Sequence, residues 1–233
     1  MKEILSVKEL RDLGRFDTCS VANAVDSFTV RLLNEGFSGP GITCRTPHLP
    51  PMVGHAVTLK VRSSEPPMKP GFYLEQPDWW ERLENASYPR ILVIEDTDVH
   101  PGRGTLVGPV HACILGALGF SGVVTSGAVR GLGQFAEIGL HAFSGSLSPS
   151  HSYCHVVEMG GIVEVAGLRI ESGDILHGDL NGIVKIPVEL AGKIQEAAGR
   201  IRERERAICH LCNNREFSAA DLRRAINADS KSG

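Results

Sequence analysis

Hydrophobic and polar positions change period several times along the chain. Ser6 to Leu13 (SVKELRDL) opens on a serine and carries Glu9 three residues later, the spacing of a reciprocal helix cap. A second helix is predicted from Asp17 or Thr18 through about Leu33, because Val21, Ala24, Val25, Phe28 and Leu32 share one face. Gly36 then suits the left-handed residue that ends a helix. From Gly54 the run GHAVTLKVRS alternates and is β-branched, which predicts a strand.

Residues 64–89 break this pattern. They hold five prolines, the Trp79–Trp80 pair and the polar run EQPDWWERLEN. We read a loop followed by a short helix over about 77–86, with Pro77 in its first turn. The segment serves either as a packing or subunit-contact element or as a lid over a site.

From Arg90 the pattern turns to alternating strand and helix. RILVIEDTD reads as a buried strand, TLVGPVHACILGALG as an apolar helix starting near Thr105, and SGVVTSGAV as a second strand. GLGQFAEIG is a turn or short helix. HAFSGSL, HVVEM, GIVEV, LRI, DILHG and GIVKIP are short strands between glycine-rich turns. Pro187 fits the first turn of a long helix to about Asn213, whose RIRERERA run is its solvated face, and Ser218 with Asp221 opens a last helix. No linker divides the chain. The expectation is one α/β domain over 1–233, with a core at about 15–190 and a C-terminal helical extension over 188–228.

Composition narrows the function classes. Twenty-four Lys+Arg against 27 Asp+Glu give a net charge of −3, without the basic stripe of a nucleic-acid binder. No apolar run approaches the roughly 18 residues of a membrane helix. The amphipathic start MKEILSVKELRDLG does not read as a secretion signal. The six cysteines are therefore expected as free thiols in a reducing cytoplasm.

Three groups of residues can carry chemistry. In VIEDTDVHPGRGTLVG (93–108) a strand ends in acids and a glycine-rich loop leads into a helix. The amides of Gly104, Thr105 and Leu106 are expected as first-turn donors that hold an anion, a carboxylate or small phosphate. The alternative is a tight turn that needs glycine for geometry alone. The spacing G-x-G-x-x-x-G fits no dinucleotide fingerprint. In VVTSGAVRGLG (123–133), Arg130 projects from a strand end, either as a planar fork for a carboxylate or as the ion-pair partner of a structural acid such as Asp179. The third group is Asp96, Asp98, His100, His151, His155 and His177. Asp98, His100 and His151 are its metal-ligand candidates, with a hydrogen-bonded histidine as the competing reading. The Cys209/Cys212 pair lacks the second pair of a zinc site. Neither glycine-rich segment holds a lysine for a Schiff base.

The combination VIEDTD, GRGTLVG, GFSGVVTSGAVRGL and VEVAGLRIESGDILHGDLNGIVKIP resembles the RraA-like family over about residues 15–190. That family includes the regulator of ribonuclease activity A and the 4-hydroxy-4-methyl-2-oxoglutarate aldolases. The resemblance implies a single swivelling β/β/α domain with a barrel-like central sheet and flanking helices. It implies homotrimers or hexamers with sites between subunits. It also implies a 2-oxo acid lyase, possessing oxaloacetate decarboxylase activity, in which Arg130 and the amides of Gly104, Thr105 and Leu106 bind the acid. A divalent metal, magnesium or manganese, would stabilise the enolate. The residue after the family's arginine is an aspartate that helps hold the metal, and this chain has Gly131; Thr105 stands where the family's loop glutamate is expected. The regulator branch also lacks that aspartate. The alternative is therefore a non-catalytic regulator that binds an RNA-processing enzyme.

Overall fold

The continuous apolar runs become the centre of a sheet. The computed structural model describes residues 6–68, 77–214 and 217–229. After α1 (Val7–Leu13), α2 (Thr18–Asp26) and the short β1 (Thr43–Cys44), three crossovers build the sheet's middle. β2 (Met52–Arg62) leads through α3 (Pro77–Glu84) to β3 (Arg90–Asp96). β3 leads through α4 (Pro109–Ala117) to β4 (Phe120–Val129), and β4 through α5 (Leu132–Ile138) to β5 (His141–Leu147). The four strands pair in parallel, which is the geometry that requires such helical crossovers.

Antiparallel strands complete the sheet. β2 is shared along its length: Met52–His55 face β9 (Ile175–Asp179), and Leu59–Arg62 face β6 (His155–Met159). β10 (Gly182–Ile186) extends β9, and β1 flanks β5. The strand order is β1-β5-β4-β3-β2-β9-β10, in a nearly closed, barrel-like sheet with flanking helices. β7 (Val163–Val165) and β8 (Leu168–Ile170) form a separate hairpin.

Both faces of the central strands are buried, and the period of two sorts their side chains. Leu92 and Ile94 face the helices, meeting Trp79, Leu83, Ala112, Leu115 and Phe135. Ile91 and Val93 face the other way, onto Val163, Val165, Leu168 and Ile170 of the hairpin. A third cluster packs α1, α2 and the long α6 (Ala191–Cys212) against Ile175, Val184 and Ile186. α7 (Ala219–Asp229) follows, with Ser218 and Asp221 bonded reciprocally at its start. Ser6 and Glu9 cap α1 in the same way. No helix among the described residues is long and apolar enough to cross a membrane. All six cysteines are free thiols.

Three expected boundaries move. α2 stops at Asp26 rather than near Leu33: Ser27 Oγ bonds the Ala24 carbonyl at 2.7 Å and Thr29 turns to φ 52°. Leu32 is consequently exposed, and Gly36 (φ 80°) turns the chain towards a bridge with Val184 instead of ending a helix. α4 begins at Pro109 rather than Thr105. α6 begins at Ala191, after a turn in which Leu190 bonds the Pro187 carbonyl. In the proline-rich segment read as a packing element or a lid, residues 69–76 lie outside the described residues.

Candidate functional site: the Arg130 corner

The ends of β3 and β4 lie side by side, and the loops that leave them meet. The loop after β3 is fastened by its own acids. Asp96 accepts from the amides of Gly102 (2.7 Å) and Asp98 (3.1 Å); burial pushes its carboxyl up, and these bonds oppose the shift. Asp98 accepts from the Ser63 amide (2.8 Å) and the Ser64 hydroxyl (2.6 Å), tying the loop to the end of β2.

Gly104 to Gly108 are buried. Gly104 passes so close to the 151–152 segment that a Cβ there would sit 2.4 Å from the His151 carbonyl oxygen, so only glycine fits. Thr105 is a tether. Its hydroxyl reaches the carbonyls of Ala128 (2.8 Å) and Val107 (3.1 Å), and its amide donates to Ser150 (3.2 Å). The expected row of first-turn donors at Gly104, Thr105 and Leu106 is therefore corrected. The helix starts at Pro109, which has no N–H, so the first-turn amides are those of Val110 and His111.

Arg130 leaves the end of β4 and turns onto this loop. Its amide donates to Val107 (3.3 Å). Nη1 donates to the Pro149 carbonyl at 3.0 Å, and Nη2 lies 2.6 Å from His151 Nε2. Nε lies against Gly108, where a Cβ would approach it to 2.9 Å, and has no hydrogen-bond partner among the described residues. His151 Nδ1 lies 2.6 Å from the Thr105 carbonyl. A carbonyl only accepts, so Nδ1 carries the proton and Nε2 receives the guanidinium N–H. His151 thus clamps Arg130 to the 104–108 loop.

A wall of rings continues from this clamp. His151 meets His111 edge to face at 6.2 Å, His111 stacks on Trp80 at 6.0 Å, and Trp80 meets Trp79 at 4.5 Å. His111 is 3% exposed. Burial, then the nearby His151 and Arg130, push its imidazole down to about 4. The sequence reading passed over His111. The Gly108-Pro109 dipeptide was the signal that places it in the first turn of α4.

The electrostatics favour an anion. α4 starts at this corner, capped by Gly108, and presents its positive end near the guanidinium. Among the described residues Arg130 forms no ion pair. Asp179, the alternative partner, is bonded instead to the amides of Thr18 and Asn181, both at 2.8 Å.

The other candidates do not join the site. His100 is exposed. His155 bonds the Tyr153 carbonyl, and His177 is buried between Thr18 and Leu13. Lys60 pairs with Glu158, and Lys185 with Asp174. Cys209 and Cys212 are exposed. Among the described residues no group of three or more His, Cys, Asp or Glu side chains is arranged to hold a metal ion. Gly131 is left-handed (φ 69°), and a Cβ on it would lie 2.3 Å from Pro109 Cγ. These residues do not fit the divalent ion that the family resemblance implies. A cavity of about 1230 Å³ between Arg31, His55, Arg169 and Lys185 lies elsewhere in the fold.

A family model described as RraA-like, Aldolase/RraA, matches residues 18–185. An uncharacterised protein of Methanocaldococcus jannaschii is 32% identical over 179 residues, 76% of this chain and 78% of that protein. The structure of an uncharacterised protein from Pseudomonas syringae pv. tomato matches with a TM-score of 0.74 at 21% identity, covering 98% of this chain and 97% of that one. An unusual member of the RNase ES inhibitor RraA protein family from Streptomyces coelicolor matches with a TM-score of 0.68 at 20% identity, covering 88% and 96%. These structural likenesses establish the fold, including the expected barrel-like sheet with flanking helices.

Proposed function

Because the chain belongs to the RraA-like family, which holds both aldolases and non-catalytic RNase inhibitors, we propose that it binds a small 2-oxo acid at Arg130 and acts as a lyase of the pyruvate-aldolase type. One observation carries the reading: a guanidinium set against the start of α4, with no carboxylate paired to it among the described residues. A helix start beside a cation is unfavourable until an anion arrives. Arg130 spends one N–H on Pro149 and one on His151. The rest of its fork, at the start of α4, faces a carboxylate.

The reaction class follows from the acid. Retro-aldol cleavage of 4-hydroxy-4-methyl-2-oxoglutarate removes the alcohol proton and breaks the adjacent carbon–carbon bond. The electron pair passes onto the oxo group as the enolate of pyruvate, which then takes up a proton. Decarboxylation of oxaloacetate reaches the same enolate with loss of carbon dioxide. Fixed positive groups near where that charge develops lower the barrier, and the group beside the bound acid here is Arg130. The assay is pyruvate release from both substrates. The proposal expects turnover by the wild-type chain and, in Arg130→Gln, a loss of about a hundredfold or more. Release no faster than in protein-free buffer refutes the lyase reading.

Glycine at 131, where any side chain would run into the Pro109 ring, favours a second reading, a regulator that binds an RNA-processing enzyme. The net charge of −3 suits an arginine-rich partner. Saturable capture of such a segment, with no 2-oxo acid binding, would select this reading. In either case we propose a trimer or hexamer with sites between subunits, which sedimentation velocity measures directly.

A further inference from the structure

We infer that the Arg130 site takes its carboxylate without a divalent cation. The inference rests on Arg130 as the carboxylate anchor and adds what that anchor does without.

Backbone geometry is the first ground. A ligand side chain at position 131 would start from a left-handed residue, which β-carbon-bearing residues rarely adopt. Its Cβ would also overlap the Pro109 ring, at 2.3 Å from Cγ and 2.7 Å from Cδ. That ring is rigid and is the first residue of α4, so it has no rotamer into which to move.

Charge is the second ground. The corner presents a guanidinium set against the start of α4. Its nearest loop acids are engaged in fastening their own loop: Asp96 holds the amides of Gly102 and Asp98, and Asp98 holds Ser63 and Ser64. His151 donates through Nδ1 to Thr105 and accepts through Nε2 from Arg130, which leaves its ring no lone pair for an ion. A divalent cation would meet the guanidinium and the start of α4, and among the described residues it would find no group of three or more His, Cys, Asp or Glu side chains to hold it. A carboxylate has its charge balanced by Arg130 alone. The ligand class is a small monocarboxylate or dicarboxylate, and pyruvate is the simplest 2-oxo acid to probe it.

Pyruvate is titrated into the full chain and followed by ligand-detected NMR, once with excess EDTA and once with excess magnesium. In parallel, Mn²⁺ is titrated and its free-ion EPR signal recorded with and without pyruvate. Pyruvate affinity is expected to agree within about twofold between the two buffers. It should fall about tenfold or more in Arg130→Gln, with Arg130→Lys, which keeps the charge but not the fork, in between. The Mn²⁺ signal should match protein-free buffer throughout. Pyruvate binding that appears only with magnesium, or Mn²⁺ uptake that pyruvate deepens, overturns the inference while leaving Arg130 as the anchor. Absence of pyruvate binding in both buffers refutes the anchor itself.

Discussion

Arg130 owes its orientation to His151. One ring nitrogen holds the Thr105 carbonyl at 2.6 Å and the other holds the guanidinium at 2.6 Å, so the imidazole fixes a charged side chain onto a glycine-rich loop. Losing one hydrogen bond to a charged group costs about 1.5–3 kcal/mol. His151→Ala is therefore expected to weaken 2-oxo acid affinity about tenfold, while a stability curve in urea shows the chain still folded. Gly131 carries a different kind of constraint. A Cβ there meets the left-handed penalty and the Pro109 ring. Gly131→Ala should lose roughly 2–4 kcal/mol of stability. Adding Pro109→Ala should recover part of that loss, a non-additivity that a double-mutant cycle in urea measures. Arg130 was legible in the sequence because an arginine after a buried strand and a glycine turn is conspicuous. His151 was legible only as a candidate ligand, since its role depends on which loop its ring meets.

The decisive element is α4. An apolar stretch such as TLVGPVHACILGALG has no polar stripe to mark its start, so hydrophobicity alone misplaced the helix end by about one turn. Proline at the first helical position corrects this and brings His111 into the corner. Trp80 stacks on His111, whereas Trp79 is 6% exposed within the core. Trp79→Ala is expected to cost about 3–5 kcal/mol in urea unfolding. Trp80→Ala should cost clearly less and act on ligand affinity. His111 also sets a pH dependence. Its folded value is pushed down to about 4 from an ordinary 6.5, so the unfolded chain binds the extra proton between those values. Its contribution is present above about pH 6.5 and is lost as pH falls towards 4, by at most about 3 kcal/mol. His141 and His177, also pushed down by burial, act in the same direction, and Asp96, pushed up, acts against them at the acid end. The difference between wild type and His111→Phe isolates the one residue: the variant's stability should slope less steeply over this range.

For the whole molecule, the strands were legible and the assembly around them was not. Runs such as RILVIED announce burial on both faces, which is what β3 shows between the helices and the β7–β8 hairpin. The sharing of β2 between β9 and β6 leaves no local trace, because pairing partners more than ninety residues apart depend on how the loops close. The overall charge of −3 likewise hides a corner that is locally positive. The central claim is that this corner grips a carboxylate, and a crystal structure of the chain grown with pyruvate tests it most directly. The account predicts a carboxylate within hydrogen-bond distance of the Arg130 guanidinium, at the start of α4. Pyruvate bound only at another place, with the guanidinium held by Pro149 and His151 alone, would contradict it.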